Sequence, residues 1–241
     1  MNILLDKFYK GGEKYTIYID YTSKPNEYNA KGSAAITDAK GLYFINPAGD
    51  EMDKPTQIWT QGETEGTSVW VPIIDKPNQK TTQEFSMTVP EKYVTLSNGK
   101  LTSQRKNNDG TRTDTWKMEL PHAPYLFFMG VGDYAVIKDS YKGKEVSYFV
   151  EKEYGPVARK IFGNTPEMIA FFSRITGVDY PWVKYAQIVG RDYVSGAMEN
   201  TTATLHQESA QQDARQLIDG NGWESTIAHE LFHQWFGDYV T

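Results

Sequence analysis

Gly220-Asn221-Gly222-Trp223-Glu224-Ser225-Thr226-Ile227-Ala228-His229-Glu230-Leu231-Phe232-His233-Gln234-Trp235-Phe236-Gly237 is bounded by glycines at both ends. Glycine takes up the backbone angles at which helices stop, so a helix is expected to start after Gly222 and to run until Gly237. Residues four apart on a helix share a face with their Cβ atoms roughly 6 Å apart, which brings His229 and His233 together. Two imidazoles so placed can direct ring nitrogens at one ion, and they suit zinc better than magnesium or calcium. Glu230 lies beside them. Its carboxylate can take a proton from a water whose pKa such an ion lowers toward about 7. Two ligands do not complete a catalytic zinc site, which takes three protein ligands and an open position. The other histidines, His122 and His206, read as core or surface residues, and Asp238 as a group at the helix end behind the ligands.

Upstream of this helix the pattern changes twice. In the first 150 or so residues apolar and polar positions alternate in short runs between turns, the period of half-buried strands. Tyr15, Ile17, Ile19 and Tyr21 would share one strand face. Phe85, Met87 and Val89 alternate with polar neighbours, as do Trp116, Met118 and Leu120. Ser97-Asn98-Gly99-Lys100 and Asn107-Asn108-Asp109-Gly110 are turns, the asparagines and glycines accepting positive φ. A further hairpin should join Phe127–Ile137 to Glu145–Val150 near Gly143. From about Glu153 the period becomes helical: Thr165 would cap a helix with Pro166 at its first position, an apolar stripe of Met168, Ile169, Phe171, Phe172 and Ile175, and Gly177 as its end. Tyr185–Val189 and a run from Gly196 to about Leu205 return to strand. The fold class is therefore α+β, with an all-β domain over residues 1–152 followed by an α+β domain over 153–241.

The 241 residues carry 25 Lys and Arg against 31 Asp and Glu, a net charge of -6 without long runs of one sign, which argues against a nucleic-acid partner. Cysteine is absent, so any metal must be held by His, Asp or Glu. No stretch of about 18 apolar residues offers a membrane span, and the first residues are too short an apolar run for an export signal. The compartment is left open, cytoplasmic or exported, and so is the oligomeric state. Met1 opens almost directly into a strand-like pattern and Thr241 follows soon after the histidine pair, so the chain reads as a piece of a longer protein.

Gly196-Ala197-Met198-Glu199-Asn200, followed downstream by His229-Glu-Leu-Phe-His-Gln-Trp-Phe-Gly-Asp-Tyr-Val-Thr241, resembles the paired motifs of the M1 family of gluzincin zinc aminopeptidases. Thr60-Gln61-Gly62-Glu63, Trp70-Val71-Pro72 with Asp75 and Pro77, and Ser97-Asn98-Gly99 are similar to landmarks of that family's N-terminal domain. The resemblance implies a saddle-like β domain, lacking its first strands, followed by the beginning of a thermolysin-like catalytic domain. It implies His229 and His233 as zinc ligands and Glu230 as general base. Glu63 and Glu199 would hold the substrate's α-ammonium, with Gln61 in the same pocket. Two carboxylates favour that charged group, whose pKa is about 8, and an internal peptide bond offers no such cation. Gly196, Ala197, Met198 and Asn200 belong to the same substrate-binding segment, an edge strand that pairs with peptide backbone; Met198 taken alone reads as core.

By the same resemblance the third zinc ligand is a glutamate about 18 residues beyond His233, past Thr241. A transition-state-stabilising tyrosine and a helical C-terminal domain would also lie there. The 241 residues alone are therefore expected to bind zinc weakly and to have little or no peptidase activity. The expected function of the parent enzyme is removal of N-terminal residues from peptides by metal-activated water. A peptide-binding module without catalysis is an alternative, as is an endopeptidase or an epoxide-hydrolysing relative using the same zinc helix. A glutamate on the next helix would favour the enzyme, and Glu63 with Glu199 weigh against the endopeptidase.

Overall fold

Three sheets form where apolar residues recur at alternate positions or in continuous runs. In a computed structural model describing residues 3–29 and 32–241, the first sheet holds β1 (Leu42–Ile45), β2 (Gln57–Thr60), β4 (Val94–Ser97) and β7 (Met129–Gly132). Their order is β1-β2-β7-β4, all antiparallel. The second comprises β3 (Thr81–Pro90), β5 (Lys100–Lys106) and β6 (Thr111–His122), ordered β3-β6-β5. Met87 and Val89 on β3 and Trp116 and Met118 on β6 turn inward as their alternation predicts, whereas Leu120 is exposed.

The third sheet is mixed. It contains β8 (Tyr134–Tyr141), β9 (Lys144–Glu151), β10 (Lys184–Gly190), β11 (Ala197–Met198) and β12 (Ala203–Gln207), ordered β11-β12-β10-β9-β8. The expected hairpin near Gly143 is β8–β9, closed by Lys142 and Gly143, both at positive φ, but of the expected first arm Phe127–Ile137 only Tyr134–Ile137 lies in β8, Met129–Gly132 being β7 of the first sheet. β9 runs parallel to β10, so this sheet continues through residue 152, where the sequence alone places a domain boundary. Every residue of β10 is buried, as befits a central strand covered on both faces. One face meets the first sheet, with Trp59, Leu96 and Phe128 packed in one core with Ile188, Met198 and Leu205. The other is covered by helices α1 (Ala158–Phe162), α2 (Thr165–Thr176) and α3 (Glu224–His233). Ile169, Ile227 and Leu231 are sealed there at 0–1% exposure, each contributing about 2 kcal/mol of apolar burial.

Several local expectations change. Tyr15–Tyr21 has no strand: no ladder partner is present for it among the described residues, and Tyr15, Ile17, Tyr18 and Tyr21 are exposed. Thr165 is not a cap but the first residue of α2, its hydroxyl donating to Phe162 O at 2.6 Å; Gly177 ends the helix at φ 70° as anticipated. The run from Gly196 to Leu205 is two strands, since Thr202 at φ 66° folds β11 back antiparallel on β12. Ser97–Lys100 is no hairpin but the point where the chain leaves the first sheet for the second, with Gly99 at φ 74°.

Candidate active site

α3 ends at His233 rather than at Gly237; the chain then turns, and Gly237, at φ 133°, lets it fold over the last helical turn. Asp238 N donates to His233 O at 3.0 Å. Trp182 Nε1 donates to Gln234 O at 2.8 Å and Trp235 Nε1 to Val178 O at 2.9 Å, so the helix end is fixed by two buried indoles. His229 and His233 share one face as predicted, with their Nε2 atoms 3.1 Å apart. His233 Nδ1 lies 3.0 Å from Phe236 O. A carbonyl oxygen only accepts, so Nδ1 carries the proton and Nε2 presents its lone pair to the space shared with His229.

That geometry fits a metal ion, because two nitrogens held tetrahedrally at about 2.0–2.1 Å from one ion stand roughly 3.3 Å apart. Among the described residues no third His, Cys, Asp or Glu completes the group. Glu230 points the other way from solvent: it is buried, and its Oε2 has no hydrogen-bond partner among the described residues. Burial, and then the charges of Glu199 and Glu63, push its carboxyl up to about 8.

The two further carboxylates arrive from separate elements. Glu63 follows β2 on a loop that has no room for a side chain at residue 62, where a Cβ would lie 2.1 Å from Tyr125 O. Glu199 follows β11. Glu63 is raised by burial and by Glu199 and lowered by His233, which brings the carboxylate pair and the imidazole into one electrostatic neighbourhood. Gln61, which the resemblance puts in the same pocket, is fully buried: its Nε2 donates to Met198 Sδ at 3.2 Å and its Oε1 accepts from Tyr193 OH. Met198 is core, at 1% exposure, and Asn200 is buried with both amide atoms unpartnered. Gly196 and Ala197 lie half-buried at the sheet edge, where among the described residues β11 pairs with β12 alone.

Except for Asp238, read from the sequence as a group at the helix end, the other groups here were invisible as site residues. Tyr125 is raised by burial and by Glu199, Asp238 and Glu63, so its phenol faces the acidic cluster. Asp238 is fully buried with both oxygens unpartnered, and burial, Glu199 and Glu230 hold it well above the carboxylate range. Lys80 Nζ reaches across to Asp238 O and Tyr239 O, 3.2 Å each. Gln234, between His233 and Trp235, donates from Nε2 to Glu199 O at 2.8 Å. None carries a periodic signal; each depends on a contact distant in sequence. His122 and His206 are buried far from any ligand role. His206 accepts from Trp223 Nε1 at Nδ1 and faces Gln187 Oε1 through Nε2; His122 faces Gln83 Oε1; burial pushes both down to about 3.

An α+β module with a paired-imidazole helix, fronted by antiparallel sheets that supply a carboxylate to the same site, is the class defined by this fold. The sequence pattern of the Peptidase M1 N-terminal domain matches residues 5–126 and that of the Peptidase family M1 domain residues 161–241. The chain belongs to peptidase family M1. It is 29% identical over 174 residues to the glutamyl aminopeptidase of Homo sapiens, covering 70% of this chain and 18% of that protein. Similarity to tricorn protease-interacting factor F2 of Thermoplasma volcanium is 30% over 216 residues, 86% of this chain and 26% of the relative. Probable aminopeptidase 1 of Sulfurisphaera tokodaii is 28% identical over 243 residues, 98% of this chain and 29% of the relative. The chain thus spans less than a third of the length of these relatives. Among the described residues no helix is long and apolar enough to cross a membrane.

Proposed function

We propose that this chain supplies the amine-recognising half of a zinc aminopeptidase site. The observation that carries the reading is the meeting of Glu63 and Glu199, from different sheets, beside His233 and the buried Glu230. Uncompensated carboxylates at one point are costly, and Glu63 is raised by burial and by the charge of Glu199; a cation between them removes the cost. A peptide's α-ammonium is such a cation, and an acylated or internal amide is not. His229 and His233 would hold zinc, which when bound polarises the scissile carbonyl and acidifies water. Glu230, adjacent to those imidazoles, takes a proton and returns it to the leaving amine. Its burial favours the protonated form, so the residue is suited to hold a proton between the two transfers. The free edge of β11 at Gly196 and Ala197 offers backbone groups to an extended peptide.

Competition between a peptide and its N-acetylated form tests the reading in the full-length protein loaded with zinc. The free-amine peptide should be cleaved at least about a hundredfold faster, since its ammonium pairs with two carboxylates that an acylated amine leaves unmatched. Equal cleavage of both would sink the aminopeptidase assignment.

A further inference from the structure

The turn Glu199–Thr202, which joins β11 to β12, is anchored more heavily than a two-strand turn requires. Gln234 after α3 donates from Nε2 to Glu199 O at 2.8 Å and accepts from Thr202 N at 2.9 Å. Asn98, between β4 and β5, donates from Nδ2 to Thr201 O at 2.7 Å and to Leu126 O at 2.8 Å. Its Oδ1 accepts from Phe128 N at 2.7 Å and from Gln83 Nε2 at 3.0 Å, so the amide cannot swivel away. Lys184, at the start of β10, is buried, and its Nζ has three partners: Thr202 O at 2.9 Å, Thr202 Oγ1 at 3.1 Å and Ser97 O at 3.0 Å. Gly99 N also donates to Thr202 Oγ1, at 2.8 Å. Thr202 itself is left-handed, which a β-branched residue resists unless its surroundings hold it there.

We propose that Lys184, Asn98 and Gln234 are positioning residues for recognition of the substrate amine: from three separate elements they fix the turn Glu199–Thr202, and with it the Glu199 carboxylate. The inference rests on the assignment of Glu63 and Glu199 as the ammonium site. A buried lysine whose Nζ is spent on one turn and one neighbouring carbonyl is a costly device for packing alone, where an apolar side chain of the same length would serve. Its effect is to tie the sheet edge carrying Glu199 to Ser97, on the sheet whose β2 leads into Glu63. The spacing between the two carboxylates is thereby set by the protein before any amine arrives, which is what selective binding of a small cation needs.

Lys184→Met is the informative variant, because Lys184 touches neither the imidazoles nor the carboxylates. In the zinc-loaded full-length protein, inhibition by an amino-acid amide and by its N-acetyl derivative would be measured beside zinc content, melting temperature, KM and kcat. The variant should keep zinc and fold, lose about tenfold or more in affinity for the free-amine ligand, and raise KM more than it lowers kcat, while the N-acetyl ligand binds as before. Ile161→Val, a core change under α1, should move melting without moving this ratio. A variant that binds each ligand as tightly as a wild type that prefers the free amine, with only melting changed, would overturn the positioning role. A wild type that binds both ligands equally would instead refute the ammonium site itself. Should Lys184→Met not fold, Thr202→Val and Thr202→Ser decide the question: the hydroxyl-bearing serine should retain amine selectivity and the valine lose it, and identical selectivity in the two would count against the proposal.

Discussion

Glu230 has one carboxylate oxygen without a hydrogen-bond partner and a pKa pushed up to about 8 by burial, Glu199 and Glu63. Glu230→Gln keeps the shape and removes the proton carrier, so kcat should fall by roughly 10²–10⁴. Zinc content measured by mass spectrometry should remain unchanged, and loss of zinc in this variant would contradict the base assignment. Lys184 offers a second prediction, on stability. Burial pushes its amine down to about 7, with Glu145 the opposing charge, whereas in an unfolded chain it titrates near 10.4. Between these values the unfolded chain holds more protons, so raising the pH favours the folded state. Wild type should gain stability relative to Lys184→Met as pH rises from about 7 to about 10, read as the difference in urea midpoint; a flat difference would refute it. The histidine pair was legible in sequence because four-residue spacing alone puts two side chains on one face. Lys184, Gln234 and Asn98 were not, because their partners lie 15 to 103 residues away and no periodicity announces such contacts.

Turns show how little of an element's environment a local pattern contains. Gly99 and Gly110 occupy similar left-handed conformations, φ 74° and 80°, and both are read from sequence as turn glycines. Around Gly110 there is open space, whereas a Cβ on Gly99 would lie 2.0 Å from Lys117 O. Gly110→Ala should therefore cost only the conformational penalty, about 1 kcal/mol. Gly99→Ala adds a backbone clash and should cost at least about 3 kcal/mol. Chemical denaturation of the two variants measures the contrast, and equal costs would show that the sheet-to-sheet crossing at Gly99 is looser than described. Strands with a packed face, such as β3 and β6, were legible because alternation reports burial directly. Tyr15–Tyr21 shows the same alternation without a strand, since a ladder also needs a partner and periodicity is silent about one. Likewise α2 starts at Thr165 itself because the Thr165 hydroxyl is engaged by Phe162 O and Gln187, a competition that residue preference does not record.

At the scale of the molecule, the site is a meeting point: α3 brings imidazoles and Glu230, β11 brings Glu199, and the loop after β2 brings Glu63. The α+β class and the order of its parts could be read from the chain, because the period of hydrophobicity changes from two to 3.6 near Glu153. That β8 and β9 share a sheet with β10 could not, since parallel pairing across α1 and α2 is a tertiary choice. With two converging imidazole nitrogens and no third donor among the described residues, the 241-residue polypeptide should bind zinc more weakly than the full-length protein. Competitive titration against a chromophoric chelator measures this, and equal affinity would mean that two imidazoles suffice. Sealing His122 and His206 inside the fold also has a practical result. Of the four histidines, those two are at 0% exposure, out of reach of an acylating reagent, while His229 and His233 stand at least partly in solvent. In this 241-residue chain imidazole acylation of the native fold therefore reports on His229 and His233 alone, and protection of that pair on adding zinc would test, without any substrate, whether it holds the ion.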